Sequence, residues 1–489
     1  MKIYLKGHDY KYALEQMLLT MFPSERPEYP QRPEPGDWMT VSLSKGPVYT
    51  TAFCTLSLGD SRYRGSARIK TELLQGELIT DRYCQRLIKN AIYRAALASG
   101  LKRPPWGALT GVRPGKLLCA LMSSGLSEEE AVKKFIRDYD VTPERAELCL
   151  QTARVTLRET AALEEKDICL YVGIPFCPTR CSYCSFVSRS VEKSMKLIAP
   201  FLEALLTEVR ETAAVINSLG LRVVSVYMGG GTPTTLSAAQ LDTLLAALER
   251  EFDLSHIREY TVEAGRPDTI TEDKLTVLKK HGVDRVSVNP QSMSDSVLEA
   301  IGRKHTAGDI IAALNKVRAE GGFAVNMDLI AGLPTDTAEA FSRTLDTVIS
   351  LKPENITVHT LSLKKGSGIT LAGTALPEAA EVGRMLDDAK EKLGEAGYAP
   401  YYLYRQKFMS GGFENVGWAK PGYENLYNVC IMEELCSIIA MGGGGSTKLI
   451  RPGDARNIRI MEPKYPLEYI NSIEKTCLDK GRIAEFYNE

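Results

Sequence analysis

The chain has 489 residues, with 60 Lys plus Arg against 61 Asp plus Glu and 44% hydrophobic residues. These values are typical of a folded protein of about three domains and exclude a fibre or a disordered tail. A formal net charge of -1 argues against steering of the whole molecule toward nucleic acid, so such a role would need a local basic patch. The charged residues 1–6 and the lack of an apolar run of about 18 residues predict a cytoplasmic protein without a signal peptide or membrane span.

The first part of the chain, residues 1–165, is predicted to form an α+β accessory domain. Its predicted elements are a strand, an amphipathic helix, a proline-rich connector, an antiparallel region and a helical stretch, at residues 1–6, 10–21, 23–35, 38–70 and 81–165. The connector cannot be helix or central strand, because each proline lacks a donor and restricts the residue before it. Ser127 and Glu130 have the spacing of a capping box, which predicts a helix that begins there.

Residues 166–373 alternate between short apolar strands and amphipathic helices. The predicted strands are residues 168–173, 223–228, 260–264, 285–289, 323–330 and 356–361. Repeated βα units imply parallel strands with helices outside, so we expect an α/β fold with a partial (β/α)6 barrel of the TIM type. Chemistry in such folds gathers at the carboxyl ends of the strands. Residues 374–489, where this rhythm stops, are predicted to form a C-terminal α/β cap that covers the substrate.

Three of the 11 cysteines follow the first predicted barrel strand closely, in the run Cys177-Pro-Thr-Arg-Cys181-Ser-Tyr-Cys184. This spacing suits thiolates around one edge of an iron-sulfur cube that keeps one iron open. Zinc is the alternative, but structural zinc takes four ligands and the sequence offers no second pair of Cys or His. The remaining cysteines are scattered among apolar neighbours and are interpreted as buried core thiols: Cys54, Cys84, Cys119, Cys149, Cys169, Cys430, Cys436 and Cys477.

The surroundings of these cysteines resemble a known superfamily. With Tyr183 before the third cysteine, the motif is similar to that of the radical S-adenosylmethionine (radical SAM) proteins. The preceding run, Tyr171-Val-Gly-Ile-Pro-Phe-Cys177, resembles the oxygen-independent coproporphyrinogen III oxidase family, and the likeness covers roughly residues 167–450. It implies a [4Fe-4S] cluster on Cys177, Cys181 and Cys184 whose open iron binds SAM.

A second motif, Gly229-Gly230-Gly231-Thr232-Pro233, directly follows the second predicted strand. Consecutive glycines let backbone groups approach a ligand closely, and Thr232 adds a hydroxyl. Alone, this run would fit a plain tight turn between strand and helix. After the cysteine motif, it resembles the turn that holds the amino group of SAM in the superfamily, so Gly230, Gly231 and Thr232 are candidate cofactor residues.

Matching by position assigns the other candidate residues. Glu263 ends the third strand and corresponds to the first cofactor site, where its carboxylate would accept hydrogen bonds from ribose hydroxyls. In the resembled oxidase family, the residues at the positions of Gln291, Arg303 and Asp328 belong to the site of a second bound SAM. Singly, each residue would be interpreted as a capping or salt-bridge residue, but their common order and spacing favour the cofactor role. The same matching lines these sites with Tyr171, Tyr183, Leu361 and the turn at residues 442–446, including Ser446.

The resemblance implies a radical mechanism. The cluster would receive an electron, SAM would be cleaved reductively, and a 5′-deoxyadenosyl radical would remove a hydrogen from the β-carbon of a propionate of coproporphyrinogen III. Loss of carbon dioxide would leave a vinyl group, which makes the implied protein a coproporphyrinogen dehydrogenase of haem biosynthesis that gives protoporphyrinogen IX. An electron donor such as flavodoxin or ferredoxin and an electron acceptor are also implied. No residue of the chain is assigned a catalytic role, because the cofactor supplies the chemistry.

The match departs from the established oxidases at one position. Phe186 stands where they have a further cysteine, a form shared with haem chaperones and with anaerobic haem-degrading radical SAM methyltransferases, which are the two alternative functions. The chaperones also carry a His-Asn-x-x-Tyr-Trp run, where this chain has Glu424-Asn-Leu-Tyr-Asn-Val429. The loss of the histidine and the tryptophan argues against the chaperone function. The long segment before the cysteines, with Trp106-Gly-Ala-Leu-Thr-Gly-Val-Arg-Pro-Gly-Lys116, resembles the HemZ-type branch of coproporphyrinogen dehydrogenases.

Two further features of the sequence are candidate substrate contacts. The stretch 82–116 contains Lys and Arg but no Asp or Glu, and Arg62, Arg64, Arg68 and Lys70 share one face of a predicted strand. Such basic faces could recruit an anionic tetrapyrrole, an acidic electron donor or RNA, or could simply be solvated. The tyrosines and cations at residues 398–407 could stack on a porphyrinogen and pair with its carboxylates, or could pack within a strand.

Overall fold

The computed structural model describes residues 1–184, 189–190, 194–362, 369, 375–406, 412–451 and 457–488. The chain divides into two compact units, Met1–Leu150 with Arg405–Phe413 and Gln151–Tyr404 with Glu414–Glu489. The first unit contains most of the predicted accessory domain. The second contains the predicted barrel together with the residues after it, and the separation of residues 374–489 as a domain stays a prediction.

The first unit contains a four-stranded sheet backed by helices. Its strands, in sheet order, are β1 (Lys2–Lys6), β2 (Trp38–Lys45), β3 (Tyr49–Leu58) and β4 (Ser61–Lys70). β1 is parallel to β2, and the other neighbours are antiparallel. The helices are α1 (Lys11–Met21), α2 (Glu77–Ala98), α3 (Pro114–Ser123), α4 (Glu128–Tyr139) and α5 (Pro143–Ala162), the last of which continues into the second unit.

Packing in the first unit follows the apolar periodicity of its sequence. Leu14 and Met17 on α1 are buried in the same core as Ile88 on α2. Gly65 lets α2 approach β4, because a Cβ at this position would overlap the backbone carbonyl of Ala91. The predicted capping box of Ser127 and Glu130 is confirmed at the start of α4.

The second unit is built on six parallel strands that neighbour one another in chain order. They are β5 (Asp167–Ile174), β8 (Arg222–Gly230), β9 (Glu259–Glu263), β10 (Arg285–Ser287), β11 (Ala324–Ala331) and β12 (Asn355–Thr360). The short strands β6 (Phe176–Cys177) and β7 (Arg189–Ser190) pair with each other after β5. These six parallel strands match the predicted (β/α)6 pattern, and their almost continuous burial is typical of parallel sheets covered on both faces.

Helices connect the parallel strands as predicted. They are α6 (Ile198–Leu219), α7 (Ala238–Glu251), α8 (Glu272–Lys280), α9 (Asp295–Ala300), α10 (Ala307–Glu320) and α11 (Ala338–Ser350). Local sequence fixes where two of them begin, because Ser237 with Gln240 and Thr306 with Asp309 form capping boxes. Among the described residues, no helix combines the length and the low polarity needed to cross a bilayer.

Strands from the C-terminal part extend this sheet to eleven strands. β13 (Ala399–Arg405) and β14 (Glu414–Ala419) add beyond β12, and β15 (Ser437–Gly442), β16 (Ser446–Leu449) and β17 (Ile458–Met461) add beyond β5. β15 is parallel to β5. The remaining helices are α12 (Ala379–Glu395), α13 (Leu426–Glu433), α14 (Pro466–Asn471), α15 (Ile473–Asp479) and α16 (Gly481–Asn488). The first barrel strand therefore has a neighbour on each side.

Candidate functional site

The cysteine motif lies on the segment that leaves β5 at its carboxyl end. Cys177 ends β6, and the amide of Cys184 donates to the carbonyl of Cys181 over 3.1 Å. Cys181 is buried, whereas Cys177 and Cys184 are partly exposed. Three thiols on one short turn at the carboxyl end of a parallel strand are a donor set that fits an iron-sulfur cluster.

The glycine turn packs directly against this cysteine segment. The amide of Gly231 donates to the carbonyl of Ile174 over 2.8 Å, and the amide of Thr232 donates to the carbonyl of Phe176 over 2.7 Å. The Thr232 hydroxyl lies 3.4 Å from the Cys177 Sγ. A Cβ on Gly231 would overlap the Phe176 carbonyl, so the approach requires glycine. The structure thus brings the two predicted motifs into contact.

Glu263, at the end of β9, lies beside the same turn. A Cβ on Gly229 would lie 3.0 Å from the carboxyl carbon of Glu263, and the Tyr227 hydroxyl donates to its Oε1 over 2.6 Å. Burial raises the pKa of Glu263 to about 7, against the lowering effect of the Tyr227 hydrogen bond. Near neutral pH the carboxyl is poised between its two forms, and additional donors such as sugar hydroxyls would favour the carboxylate.

Three tyrosines form a stacked group next to this carboxyl. The ring centroids of Tyr227 and Tyr427 are 4.4 Å apart, and Tyr171 lies 6.3 Å from Tyr227 and 6.1 Å from Tyr427. The Tyr171 hydroxyl would lie 3.4 Å from a Cβ on Gly230, which places this predicted residue at the glycine turn. Tyr427 comes from α13 and was not predicted, since only tertiary structure brings that helix here.

Gln291 and Asp328 are joined through the backbone. The amide of Gln291 donates to the carbonyl of Asp328 over 2.8 Å, and the amide of Ile330 donates to the carbonyl of Gln291 over 3.0 Å. Gln291 has a φ of 67°, in the left-handed region that side chains other than glycine rarely adopt. Strain of this kind is concentrated at binding and active sites, so the observation supports a functional position for Gln291.

Arg303 connects the region of Gln291 and Asp328 to the cysteine segment. Its Nη1 donates to the carbonyl of Asn289 over 2.6 Å, and its Nη2 donates to the Tyr183 hydroxyl over 3.2 Å. The Arg303 Nε is buried and has no hydrogen-bond partner within the described part of the chain. A buried orphaned donor fits a ligand that brings an acceptor, because leaving such a group unpaired is costly.

Sequence reasoning missed two residues in this region. The Arg266 side chain is buried, with Nη1 3.5 Å from the Cys181 Sγ and Nη2 donating to the Thr179 hydroxyl over 3.0 Å. His305 lies near Arg303, and burial, followed by the charges of Arg303 and Arg266, lowers its pKa to about 4. The available signal was the position of Arg266 in Gly265-Arg-Pro267, after the end of β9, where strand-end residues deserve a functional interpretation.

Leu361 and Ser446 occupy different surroundings. Leu361 is buried directly after β12. The turn before Ser446 lies against β5, since a Cβ on Gly442 would overlap the carbonyl of Gly173. Ser446 itself begins β16, and its hydroxyl donates to the Met461 Sδ over 3.1 Å. The turn is thus beside the start of the cysteine segment, and a cofactor role for the Ser446 hydroxyl stays a prediction.

The tyrosines of β13 are packed within the sheet. Tyr401 and Tyr402 are buried, and Tyr404 places its hydroxyl 3.4 Å from the Nδ1 of His359. Arg405 is also buried and donates to the carbonyls of Leu109 and Gly412. These contacts favour strand packing over the proposed pairing of Arg405 with substrate carboxylates. Phe186, which replaces a cysteine of the established oxidases, and Lys407, a candidate substrate contact, lie outside the described residues.

The basic stretch 82–116 is partly neutralised by acidic side chains. Arg86 Nη1 lies 2.9 Å from Asp138, and Arg103 Nη2 lies 2.9 Å from Asp140. On β4, Arg62, Arg64, Arg68 and Lys70 are all exposed, as the alternation predicts, and Lys70 Nζ lies 3.1 Å from Glu72. Both basic stretches of the first unit therefore have acidic neighbours.

Comparison with known proteins agrees with this site. A model of the Radical SAM superfamily matches residues 171–348, which include the cysteine motif, the glycine turn and Glu263. The fold and the site thus define a radical SAM protein. The chain is 37% identical over 466 residues to the oxygen-independent coproporphyrinogen-III oxidase-like protein HemZ of Bacillus subtilis, and the match covers 92% of this chain and 91% of the relative. The chain belongs to this family of HemZ-type oxidase-like proteins.

Two further similarities cover shorter parts of the chain. The heme chaperone HemW of Bacillus subtilis is 31% identical over 263 residues, which are 53% of this chain and 65% of the chaperone. The structure of coproporphyrinogen III oxidase (HemN) from Escherichia coli, a radical SAM enzyme, has a TM-score of 0.53 and 25% identity, over 66% of this chain and 73% of that one. Radical SAM proteins use a [4Fe-4S] cluster held by three cysteines, and SAM. The thiol set, the glycine turn and the partly buried carboxyl of Glu263 fit both the cluster and SAM.

Proposed function

We propose that the protein is an oxygen-independent coproporphyrinogen III dehydrogenase that converts propionates of its substrate to vinyl groups and yields protoporphyrinogen IX. The observation that carries this proposal is the joint contact of the cysteine segment, the glycine turn and Glu263, on a chain related to HemZ over nearly its whole length. The structural likeness to HemN supports the same reaction class.

In this proposal Cys177, Cys181 and Cys184 hold the cluster. When bound, the cluster and SAM supply the radical that removes a hydrogen atom from the substrate. Gly230, Gly231 and Thr232 would bind the amino group of SAM. The two glycines have no side chains that would keep a ligand away from the backbone beside the cysteine segment, and Thr232 adds a hydroxyl. The close packing of the glycine turn against the cysteine segment would also keep water away from the reacting atoms.

Glu263 would accept hydrogen bonds from the ribose hydroxyls. Its burial favours the neutral carboxyl in the absence of a ligand, and the added donors would favour the carboxylate. Binding of SAM is therefore expected to release a proton from Glu263 when the pH lies below about 7.

A second SAM is proposed at Gln291, Arg303 and Asp328. The unpaired Nε of Arg303 supports a ligand that carries a carboxylate or another acceptor, and the strained Gln291 is joined to Asp328 by backbone hydrogen bonds. Tyr183, whose hydroxyl accepts a hydrogen bond from Arg303, would link the second SAM site to the cysteine segment. The electron that reduces the cluster would come from a donor such as flavodoxin or ferredoxin, and an electron acceptor would take the electron that remains on the substrate after loss of carbon dioxide.

Haem binding without turnover is the second candidate function, since the chain is also similar to the heme chaperone HemW. Local structure supports the enzyme instead. Glu424 and Val429 stand where the resembled chaperones have the histidine and tryptophan of their His-Asn-x-x-Tyr-Trp run, and Asn425 is the residue that this chain shares with them. Glu424 lies 3.1 Å from Arg158, and Asn425 caps α13. Both side chains therefore have structural partners.

The test is anaerobic reconstitution of the protein with iron and sulfide, followed by incubation with reductant, SAM and coproporphyrinogen III. An electron acceptor is included in the incubation, and mass spectrometry of the oxidised products should find protoporphyrin with two molecules of 5′-deoxyadenosine for each protoporphyrin, one for each propionate converted. A Cys181→Ala protein should form neither product, and a Cys84→Ala protein, which loses a buried thiol elsewhere, should form both. Retention of haem without turnover would favour the chaperone function, and a methylated linear tetrapyrrole would favour the methyltransferase.

A further inference from the structure

A second group of three cysteines lies near the start of β5, away from the cysteine motif. Cys169 is on β5, Cys430 is on α13, and Cys436 directly precedes β15. Their sulfur atoms all lie within 4.8 Å of one another, and the Sγ atoms of Cys169 and Cys436 are 3.7 Å apart. All three side chains are buried. The interpretation of these residues as separate core thiols was therefore incomplete, because the fold makes them a thiol triad.

One sulfur–sulfur distance in the thiol triad matches that of a thiolate metal site, and the other two lie within 4.8 Å. With metal–sulfur bonds of about 2.3 Å, two sulfur ligands are about 3.8 Å apart around a tetrahedral ion and about 4.0 Å apart around a trigonal one. The separation of 3.7 Å between Cys169 and Cys436 is close to both values. A disulfide would need a sulfur–sulfur distance of about 2.05 Å and would leave the third thiol unused.

The surroundings of the thiol triad select the kind of ion. Val224, Leu426 and Ile438 pack around the three cysteines, so the lining is apolar. Over the described part of the chain, neither His nor a carboxylate belongs to this group of ligand atoms. Soft thiolate ligands favour Cu(I) and Zn(II), but structural zinc normally takes four protein ligands. Three sulfur donors without a fourth ligand among the described residues suit a three-coordinate Cu(I) ion better.

The thiol triad is separate from the cluster ligands. Cys169 is near the amino end of β5, whereas Cys177 follows its carboxyl end. The strand segment from Cys169 to Ile174 alone spans about 16 Å at roughly 3.3 Å per residue. A metal ion at the thiol triad would therefore not replace the iron-sulfur cluster.

We propose that Cys169, Cys430 and Cys436 form a binding site for one soft metal ion, Cu(I) in preference to Zn(II), in addition to the radical SAM cluster. Binding of one Cu(I) ion would release the three thiol protons to solvent, leave a group of three thiolates and one ion with a net charge of -2, and join β5, α13 and the residue before β15 through sulfur. Since α13 carries Tyr427 of the tyrosine stack, the ion would fix that helix against the barrel.

The test uses the full chain with its reconstituted cluster. Under anaerobic conditions, Cu(I) and Zn(II) are titrated separately against a chromophoric chelator of each ion. We expect one equivalent of Cu(I) to bind, with affinity lowered at least tenfold in Cys430→Ser and unchanged in Cys54→Ser, a matched loss of one buried thiol in the first unit. Binding of Zn(II) alone, dependent on Cys430, would support the site and overturn the preference for Cu(I). Equal binding of both ions by the two variants would overturn the site.

A second measurement avoids the effect of a substitution on folding. X-ray absorption at the copper edge of the unaltered protein, loaded with one equivalent of Cu(I), should show three sulfur neighbours at about 2.3 Å. Nitrogen or oxygen neighbours in place of sulfur would overturn the proposal. Because the readout is the coordination of copper, the result is independent of coproporphyrinogen turnover.

Discussion

Glu263→Gln is expected to change how the stability of the unliganded protein depends on pH. Burial raises the pKa of Glu263 to about 7, from 4.5 for an exposed glutamate. The folded state therefore favours the neutral carboxyl, while the unfolded chain is already ionised above 4.5. The wild-type protein should lose stability as the pH rises from 4.5 to about 7, and the loss should be constant above that range. Glutamine is uncharged throughout and removes this loss.

The size of the effect follows from the shift in pKa. A shift of roughly 2.5 units corresponds to about 3 kcal/mol at about 1.36 kcal/mol per unit. Because part of the Glu263 residue is accessible to solvent, screening lowers the expected difference to about 2 kcal/mol. Relative to the wild type, the Glu263→Gln protein should thus gain about 2 kcal/mol of unfolding free energy between about pH 5 and pH 8.5. It should also bind SAM more weakly at every pH.

Urea unfolding of both proteins, followed by circular dichroism without SAM over that pH range, measures the difference directly. The matched control is Glu272→Gln, at an exposed position in the first turn of α8, which should give a nearly constant difference from the wild type. If the difference between Glu263→Gln and the wild type does not change with pH, the carboxyl is hydrated and the reasoning from burial is refuted.

Three further outcomes are expected at the site. Cys181→Ala should lose most of its reconstituted iron, measured as iron and sulfide per chain, whereas Cys84→Ala should retain it. Arg266→Met removes a cation beside a cluster thiolate and should lower the cluster potential by on the order of tens of millivolts in an EPR-monitored titration; an unchanged potential would contradict the contact. Gly231→Ala should weaken SAM binding by about tenfold in equilibrium dialysis, because its Cβ would displace the Phe176 carbonyl. The control protein Gly394→Ala should bind SAM as the wild type does, because a Cβ at this position meets open space.

The barrel strands could be predicted because each is encoded locally. The predicted strand at residues 223–228, for example, lies within two residues of the bounds of the observed β8. The cysteine and glycine motifs were also local, and the position of each after a parallel strand predicted that they would meet. Their contact through Thr232 and Phe176 is therefore what the sequence led us to expect.

The features that sequence reasoning missed depend on contacts between distant parts of the chain. The tyrosine stack combines Tyr171 and Tyr227 with Tyr427 from a helix far along the sequence. Cys169 and Cys436 are 267 residues apart, and nothing in their neighbouring residues distinguishes them from ordinary core thiols. Pairing of β15 with β5 was missed for the same reason, since periodicity indicates a strand but not its partner.

The parallel pairing of β15 with β5 also has a consequence during translation. The ribosome makes Cys169 of β5 267 residues before Cys436, which directly precedes β15. At about 5–20 residues per second, this interval lasts on the order of 15–50 s, during which one edge of β5 has no partner strand from the C-terminal part. An unpaired strand edge is a template for pairing with another chain, so β15 protects this edge of β5 once it is made.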